Sequence, residues 1–277
     1  MDVINHVRTT TTYQLIIYMG ITVADIENFI AAQLDGWETA RRNHDGLKQV
    51  ETRLVGDTTV MFNPARAASA TAKTDARSLA ERPCFLCTEN RPAEQRLLPW
   101  RNYGILVNPF PIFPGHLTIV EQRHTPQSIE GRIPDMTALA EMLGDQYTVF
   151  FNGAKCGASA PDHMHFQAAR FKANPDPSRC RIFDISDPAA AEKCAAYLSE
   201  NGDPKGEMVN MLCYEGKLAV IRRKRHRPLC YGCGEGQMLL SPASVEMAGY
   251  LVTIRREDFD ALTPESVARI MDEVTVS

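Results

Sequence analysis

Two short segments of this chain hold side chains that could do chemistry. In His163-Met164-His165-Phe166-Gln167 one imidazole is flanked by another imidazole and by a carboxamide. As a strand, the segment sets His163, His165 and Gln167 on one face and sends Met164 and Phe166 into a core. An imidazole flanked in this way suits attack on a phosphate followed by charge neutralisation. In Cys84-Phe85-Leu86-Cys87 the spacing lets two thiolates take adjacent corners of a zinc tetrahedron.

Such a tetrahedron needs two more ligands. A second pair, Cys230 and Cys233, offers a four-cysteine site by spacing alone. His124 and His163 are the preferred partners. His124 lies just past a predicted strand, His163 opens the motif strand, and a sheet could bring them together. The plainer reading of Cys84 and Cys87 is a pair of buried thiols, and for Cys230 and Cys233 the plain reading is preferred. Cys156, Cys180, Cys194 and Cys213 carry no partner spacing and are read as packing residues.

Periodicity gives the elements that must hold these residues. Residues 23–48 read as one long helix or a pair, with Phe29, Ile30, Leu34 and Trp37 on one stripe. Residues 50–62 alternate around Gly56-Asp57, a hairpin signal, and residues 63–80, rich in Ala, Ser and Thr, read as a surface loop. Strands are predicted over 103–108, 116–120, 148–152 and 163–171. Between them Met136, Leu139, Ala140, Leu143 and Tyr147 follow helical spacing. The best candidate boundary is Asn174-Pro175-Asp176-Pro177. The run Gly115-His116-Leu117-Thr118-Ile119-Val120 has an echo in Gly249-Tyr250-Leu251-Val252-Thr253-Ile254, a faint internal repeat. Nine residues after each glycine stands a polar side chain, His124 or Asp258, and a helix follows. The second helix is signed by Thr263 as N-cap, Pro264 at its first position and a Val267, Ile270, Met271, Val274 stripe.

Bulk properties narrow the class. A chain of 277 residues holds one large domain or two small ones. Its composition, 44% hydrophobic and 23% charged, is that of an ordinary soluble protein. A net charge of −4 argues against a general nucleic-acid binder, and no apolar run approaches the roughly 20 residues that span a bilayer. The apolar stretch at 14–21 is short and follows threonines rather than a basic cluster, so a signal peptide is rejected. Residues 1–18 fit the rest poorly, which makes Met19 an alternative start. Eight cysteines are too sparse for a disulfide scaffold and point to a reducing, cytoplasmic setting.

Taken together, Cys84-Phe85-Leu86-Cys87, the strand before His124 and His163-x-His165-x-Gln167 resemble the galactose-1-phosphate uridylyltransferase branch of the histidine-triad (HIT) superfamily. In detail, His163-Met164-His165-Phe166-Gln167-Ala168, preceded by Asn152 and a Gly-Ala turn, is similar to the signature of GDP-L-galactose phosphorylases. Residues 241–249 resemble the C-terminal half of those enzymes, and diadenosine tetraphosphate phosphorylases share the short signature. The likeness runs from about residue 60 to 277. Met164 stands where the uridylyltransferases usually carry proline, and Ser159-Ala160-Pro161-Asp162 replaces their Ser-Asn-Pro.

The resemblance implies an α+β fold, a HIT-like antiparallel sheet with packed helices in two HIT-related halves, the second degenerate. It divides the chain into an N-terminal helical segment (1–50), a catalytic half (51–175) and a degenerate C-terminal half (176–277). It implies structural zinc on Cys84, Cys87, His124 and His163. Within Asn63-Pro64-Ala65-Arg66, Arg66 would meet phosphate, a solvated loop arginine being the other reading. Asn108 falls where the family places a ribose or base contact; a turn-forming Asn before Pro explains it nearly as well. Asn152 and Ser159 border the loop into the motif and are candidate phosphate or nucleotide contacts, with Lys155 a weaker one. The run from Arg222 to Arg227 reads as a solvated face, or else as an attractor of polyphosphate.

The expected activity is that of a nucleotidyltransferase or phosphorylase. It would cleave a nucleoside diphosphate sugar or a dinucleoside polyphosphate through a nucleotidyl-His165, with phosphate or a sugar phosphate as acceptor in a ping-pong scheme. Gln167 decides the reaction class: a carboxamide does no acid–base work near neutral pH but can donate to a phosphate oxygen, so transfer is favoured over hydrolysis. The alternatives are a hexose-1-phosphate uridylyltransferase and a zinc-stabilised nucleotide-binding protein without turnover. Neither nucleic acid nor membrane is an expected partner, and a homodimer is expected from the resemblance.

Overall fold

The computed structural model describes residues 20–67 and 76–276. The expectations on residues 1–19, the alternative start among them, and the centre of the predicted 63–80 loop lie outside the described residues.

Helix α1 (Val23–Gly36) starts at Thr22, whose hydroxyl accepts from the Asp25 amide while the Asp25 carboxylate accepts from the Thr22 amide. This capping box satisfies two otherwise orphaned donors. Trp37 leaves the expected stripe: it is extended, at φ −136° and ψ 92°, and separates α1 from α2 (Glu38–Asp45). The hairpin forms as predicted, with β1 (Glu51–Val55) antiparallel to β2 (Thr58–Phe62) around Gly56 at φ +59°. The described parts of the predicted loop after it hold a 3-10 turn at Pro64–Arg66 and a short helix, α3 (Ala76–Glu81). Proline at the first position presets the backbone for such a turn.

Eight strands build the main sheet: β3 (Leu98–Trp100), β4 (Tyr103–Val107), β5 (Leu117–Glu121), β6 (Thr148–Asn152), β7 (His165–Ala169), β8 (Arg181–Asp184), β9 (Val209–Tyr214) and β10 (Lys217–Arg222). Their spatial order is β3-β4-β5-β7-β6-β9-β10-β8, antiparallel throughout. Helices α4 (Ile133–Leu143) and α5 (Ala190–Glu200) join α1 over one face, where Ile26, Met136, Leu139 and Leu198 share a core with Ile119, Met164 and Phe166. Gly144, at φ +66°, ends α4 before Tyr147, which is buried but not helical as its spacing predicted. Burial of one such large apolar side chain contributes about 1.5–3 kcal/mol.

The internal echo falls on strands that are not equivalent. Its first copy is β5, inside the large sheet, whereas its second is β11 (Tyr250–Thr253), parallel to β2 in a separate sheet ordered β1-β2-β11. Short apolar runs are alike wherever a strand is buried, so similarity over six residues does not fix position in a sheet. The large sheet has its own symmetry. From the outside inward, β5-β7-β6 mirrors β8-β10-β9 about the β6–β9 pair, with α4 and α5 in matching places. Three helices complete the chain: α6 (Ser244–Met247), α7 (Arg256–Ala261) and α8 (Pro264–Val274). Helix α8 is capped by Thr263 and buries Val267, Ile270 and Val274, as its stripe predicted. Among the described residues no helix is long and apolar enough to cross a membrane.

Candidate active site and metal centre

Beyond β5 the chain stays paired with the approach to β7: the Glu121 amide donates to the Met164 carbonyl and the Met164 amide to the Thr125 carbonyl, at 2.9 and 2.7 Å. That pairing sets His124 beside His163, ring centroids 4.7 Å apart, although His163 itself precedes the strand it was expected to open. Cys84 and Cys87 sit on a tight turn, the Cys87 amide donating to the Cys84 carbonyl at 3.2 Å. The ligand atoms of Cys84, Cys87, His124 and His163 all lie within 4.8 Å of one another. Three sulfur–nitrogen separations, 3.1, 3.3 and 3.6 Å, lie close to a tetrahedral edge. Zinc bonds of about 2.3 Å to sulfur and about 2.0 Å to nitrogen give an edge of roughly 3.5 Å. Burial, with the Cys84 thiol beside it, pushes the Cys87 thiol up to about 11, a repulsion that a cation would relieve. Nε2 of His163 lies 2.8 Å from the Glu121 carbonyl, which fixes the ring with Nδ1 toward the thiols. Cys230 and Cys233 are not part of this group.

Beside His165 lies a cavity of about 810 Å³, lined by residues of the large sheet and of the C-terminal segment. His165 and Gln167 reach it from β7, while Met164 and Phe166 enter the opposite core. His165 Nδ1 is 2.8 Å from the His163 carbonyl oxygen, which can only accept, so Nδ1 carries the proton and Nε2 is left with its lone pair. Burial pushes the His165 pKa down to about 4, so the ring is neutral near pH 7. Gln167 pairs in register with Thr118 on β5 and Phe150 on β6, and its Oε1 is 2.8 Å from Nε2 of His116.

The remaining candidates divide. Arg66 lines the cavity; its guanidinium donates to the Phe110 carbonyl, and burial lowers its pKa only to about 10, so it is a cation. Asn152 and Ser159 also line the cavity. Asn108 lines it too, but its side chain closes a turn, accepting from the Phe110 amide at 2.9 Å and donating to Thr118 Oγ1 at 3.1 Å. Asn63 stands behind the wall, buried and bonded to the Pro111 carbonyl at 3.4 Å. Lys155 is turned away to Glu207 at 2.6 Å.

The basic run is a solvated face only in part, with Lys224 and Arg225 exposed. Arg223 is buried and donates to the carbonyls of Val274, Pro242 and His226, while His226 and Arg227 line the cavity. Residue type alone does not separate an arginine that ties loops together from one in water. Sequence reasoning also missed Arg82, Phe85, Glu246 and His116. Arg82 stacks over Phe85 at 4.9 Å on the cavity rim. Glu246 accepts from the Ala243 amide at 2.7 Å, and burial pushes it up to about 7. His116 was visible only as part of the echo; a buried histidine on a strand flanking the motif was the available signal.

No curated protein matches the chain in sequence. Among solved structures, crystal structures of the yeast Ap4A phosphorylase Apa2 share its fold. One is 18% identical with a TM-score of 0.57, covering 86% of this chain and 96% of that chain. The form in complex with AMP is 16% identical at 0.56, covering 87% and 96%. The form in complex with Ap4A is 17% identical at 0.55, covering 86% and 96%. The mixed α+β architecture with an antiparallel sheet and packed helices is therefore that of the expected fold class. A family model described as "Domain of unknown function (DUF4922)" matches residues 29–170, from α1 through the His-x-His-x-Gln strand and just over half of the chain. By that match the chain belongs to the DUF4922 family.

Proposed function

We propose that this protein is a nucleotidyltransferase of the phosphorylase type, acting on a dinucleoside polyphosphate or a nucleoside diphosphate sugar. The observation that carries the reading is the state of His165: neutral, with Nδ1 engaged by a backbone carbonyl and Nε2 bare beside a large cavity. The Nε2 lone pair attacks the α-phosphorus, the bond from phosphorus to the bridging oxygen breaks, and the leaving phosphate takes that electron pair. The His163 carbonyl steadies the positive charge on the nucleotidylated ring through Nδ1–H. An acceptor phosphate then attacks the same phosphorus and restores His165. Gln167 donates to a non-bridging oxygen, and Arg66 supplies positive charge to the phosphate chain. A departing phosphate needs no general acid, which suits a site with glutamine at this position.

Cys84, Cys87, His124 and His163 would hold a zinc ion, and the donor set and its spacing fit that ion. Its contribution would be structural, holding the ring of His163, while the His163 carbonyl accepts from His165 Nδ1 and sets the tautomer of that ring. We take residues 51–175 as the catalytic half, with a degenerate half following. The fold shared with a phosphorylase crystallised with AMP and with Ap4A supports a nucleotide substrate.

The test is to incubate the protein with labelled dinucleoside tetraphosphates and nucleotide sugars, denature it and look for an acid-labile adduct. An adduct that is lost in His165→Asn supports the reading. No adduct with any substrate, or one that persists in His165→Asn, rejects it. Adding phosphate or a sugar phosphate to the adduct identifies the acceptor.

A further inference from the structure

A carboxamide offers an oxygen at one end and an NH2 at the other, and only the NH2 end stabilises an anion. Which end Gln167 and Asn152 present to the cavity is decided by the buried groups behind them. The Ile112 amide donates to His116 Nδ1 at 3.1 Å, so that nitrogen has no proton. His116 is completely buried, and this burial, with Arg66 nearby, pushes its pKa down to about 3 and keeps the ring neutral. The single ring proton is therefore on Nε2, and it is donated to Gln167 Oε1 at 2.8 Å. The Gln167 NH2 is left facing the cavity.

A second relay does the same for Asn152. Buried Arg223 donates to Asn210 Oδ1. Asn210 is thereby turned so that its Nδ2 donates to Asn152 Oδ1 at 3.0 Å, and the Ser244 amide donates to the same oxygen at 2.8 Å. With its oxygen taken twice, Asn152 presents its NH2 to the cavity. The two strands are clamped beside each other by Gln127, whose Nε2 donates to the carbonyls of both Asn152 and His165, at 2.9 and 3.1 Å. The two amides thus flank His165 along β7 and across to β6.

We propose that His116 and Asn210 are positioning residues that act through Gln167 and Asn152, turning the NH2 end of each carboxamide toward a phosphate oxygen beside His165. The inference rests on the nucleotidyl-transfer reading. It also makes the anion cradle a composite, since Arg223 and Ser244 come from the segment that follows the catalytic half.

Asn210→Asp tests it with almost no change of shape. An aspartate keeps its pairing with Arg223 but cannot donate. A carboxylate oxygen then faces Asn152 Oδ1 and the Cys156 carbonyl where Nδ2 donated to both. It pushes the Asn152 amide, held then by the Ser244 amide alone, out of its pose toward the cavity. Single-turnover adduct formation should slow by about 100-fold, the scale of losing one oxyanion donor. Asn210→Asp combined with Asn152→Ala should be no slower than Asn152→Ala alone, because the two act as one unit. His116→Phe should likewise add nothing to Gln167→Ala. An unchanged rate in folded Asn210→Asp, or multiplicative losses in the double variants, would overturn the proposal. Nitrogen-15 NMR of the histidine-labelled wild-type protein decides the His116 relay without substitution. A neutral ring protonated on Nε2 is expected, and a proton on Nδ1 overturns that relay. Absence of an adduct in the wild-type protein would instead reject the transfer reading.

Discussion

His163 and His165 are separated by one residue and are both buried, yet their rings have different environments. Both ring nitrogens of His163 are engaged, Nδ1 by the two thiols and Nε2 by the Glu121 carbonyl. His165 has one nitrogen engaged, by the carbonyl of His163 itself, and one facing the cavity. The difference teaches that the role of an imidazole follows from which of its nitrogens its neighbours leave free. It also couples the two regions, because whatever holds His163 holds the acceptor that sets the tautomer of His165.

The largest expected effect separates the two histidines by activity. His165→Asn should lower turnover by on the order of 10³-fold or more, as loss of a nucleophile does, while bound zinc and the thermal midpoint stay as in the parent protein. A variant that loses zinc as well would merge the two roles and break the comparison. Cys84→Ser reverses the pattern: zinc content should fall to background, and the melting temperature should drop by about 10 °C, since structural zinc contributes folding free energy. Unchanged zinc by metal analysis would reject the site.

Neighbouring positions on β7 sharpen the contrast further. Phe166→Ala should cost about 3–5 kcal/mol of stability in denaturant unfolding, because Phe166 is fully buried in the core. Gln167→Ala should cost less, about 1–3 kcal/mol, since it leaves the buried His116 Nε2–H without its acceptor, and should slow transfer by about 100-fold. The smallest effect is expected at Lys155, which pairs with Glu207 at the surface. Lys155→Ala should not change the steady-state kinetics, and a raised KM for substrate would place an anion contact there after all.

Much of the site near the motif was legible in the sequence, because its signals are local. Cys84-x-x-Cys87 and His163-x-His165-x-Gln167 each put their functional atoms together by spacing, and strand alternation sent Met164 and Phe166 the other way. Gly56 and Thr263 likewise marked a turn and a helix start that the chain adopts. What could not be read depends on distant partners. Arg223 looked like one of several basic residues until the carbonyls of Val274 and Pro242 were seen around it. Asn108 and Asn152 are the same residue type near strand ends, and only Asn210 and Ser244, far along the chain, distinguish a turn-former from a residue facing the cavity. The echo at 249–254 misled because a short buried strand has the same pattern in either sheet.

The central claim is that the two histidines divide the work. The measurement that tests it most directly is fragment mass spectrometry of the protein quenched during turnover with a dinucleoside tetraphosphate, with zinc quantified on the same sample. The account predicts a nucleotidyl group on His165 alone and about one zinc per chain. A nucleotidyl group on His163, or an unmodified motif peptide under conditions of active turnover, would contradict it.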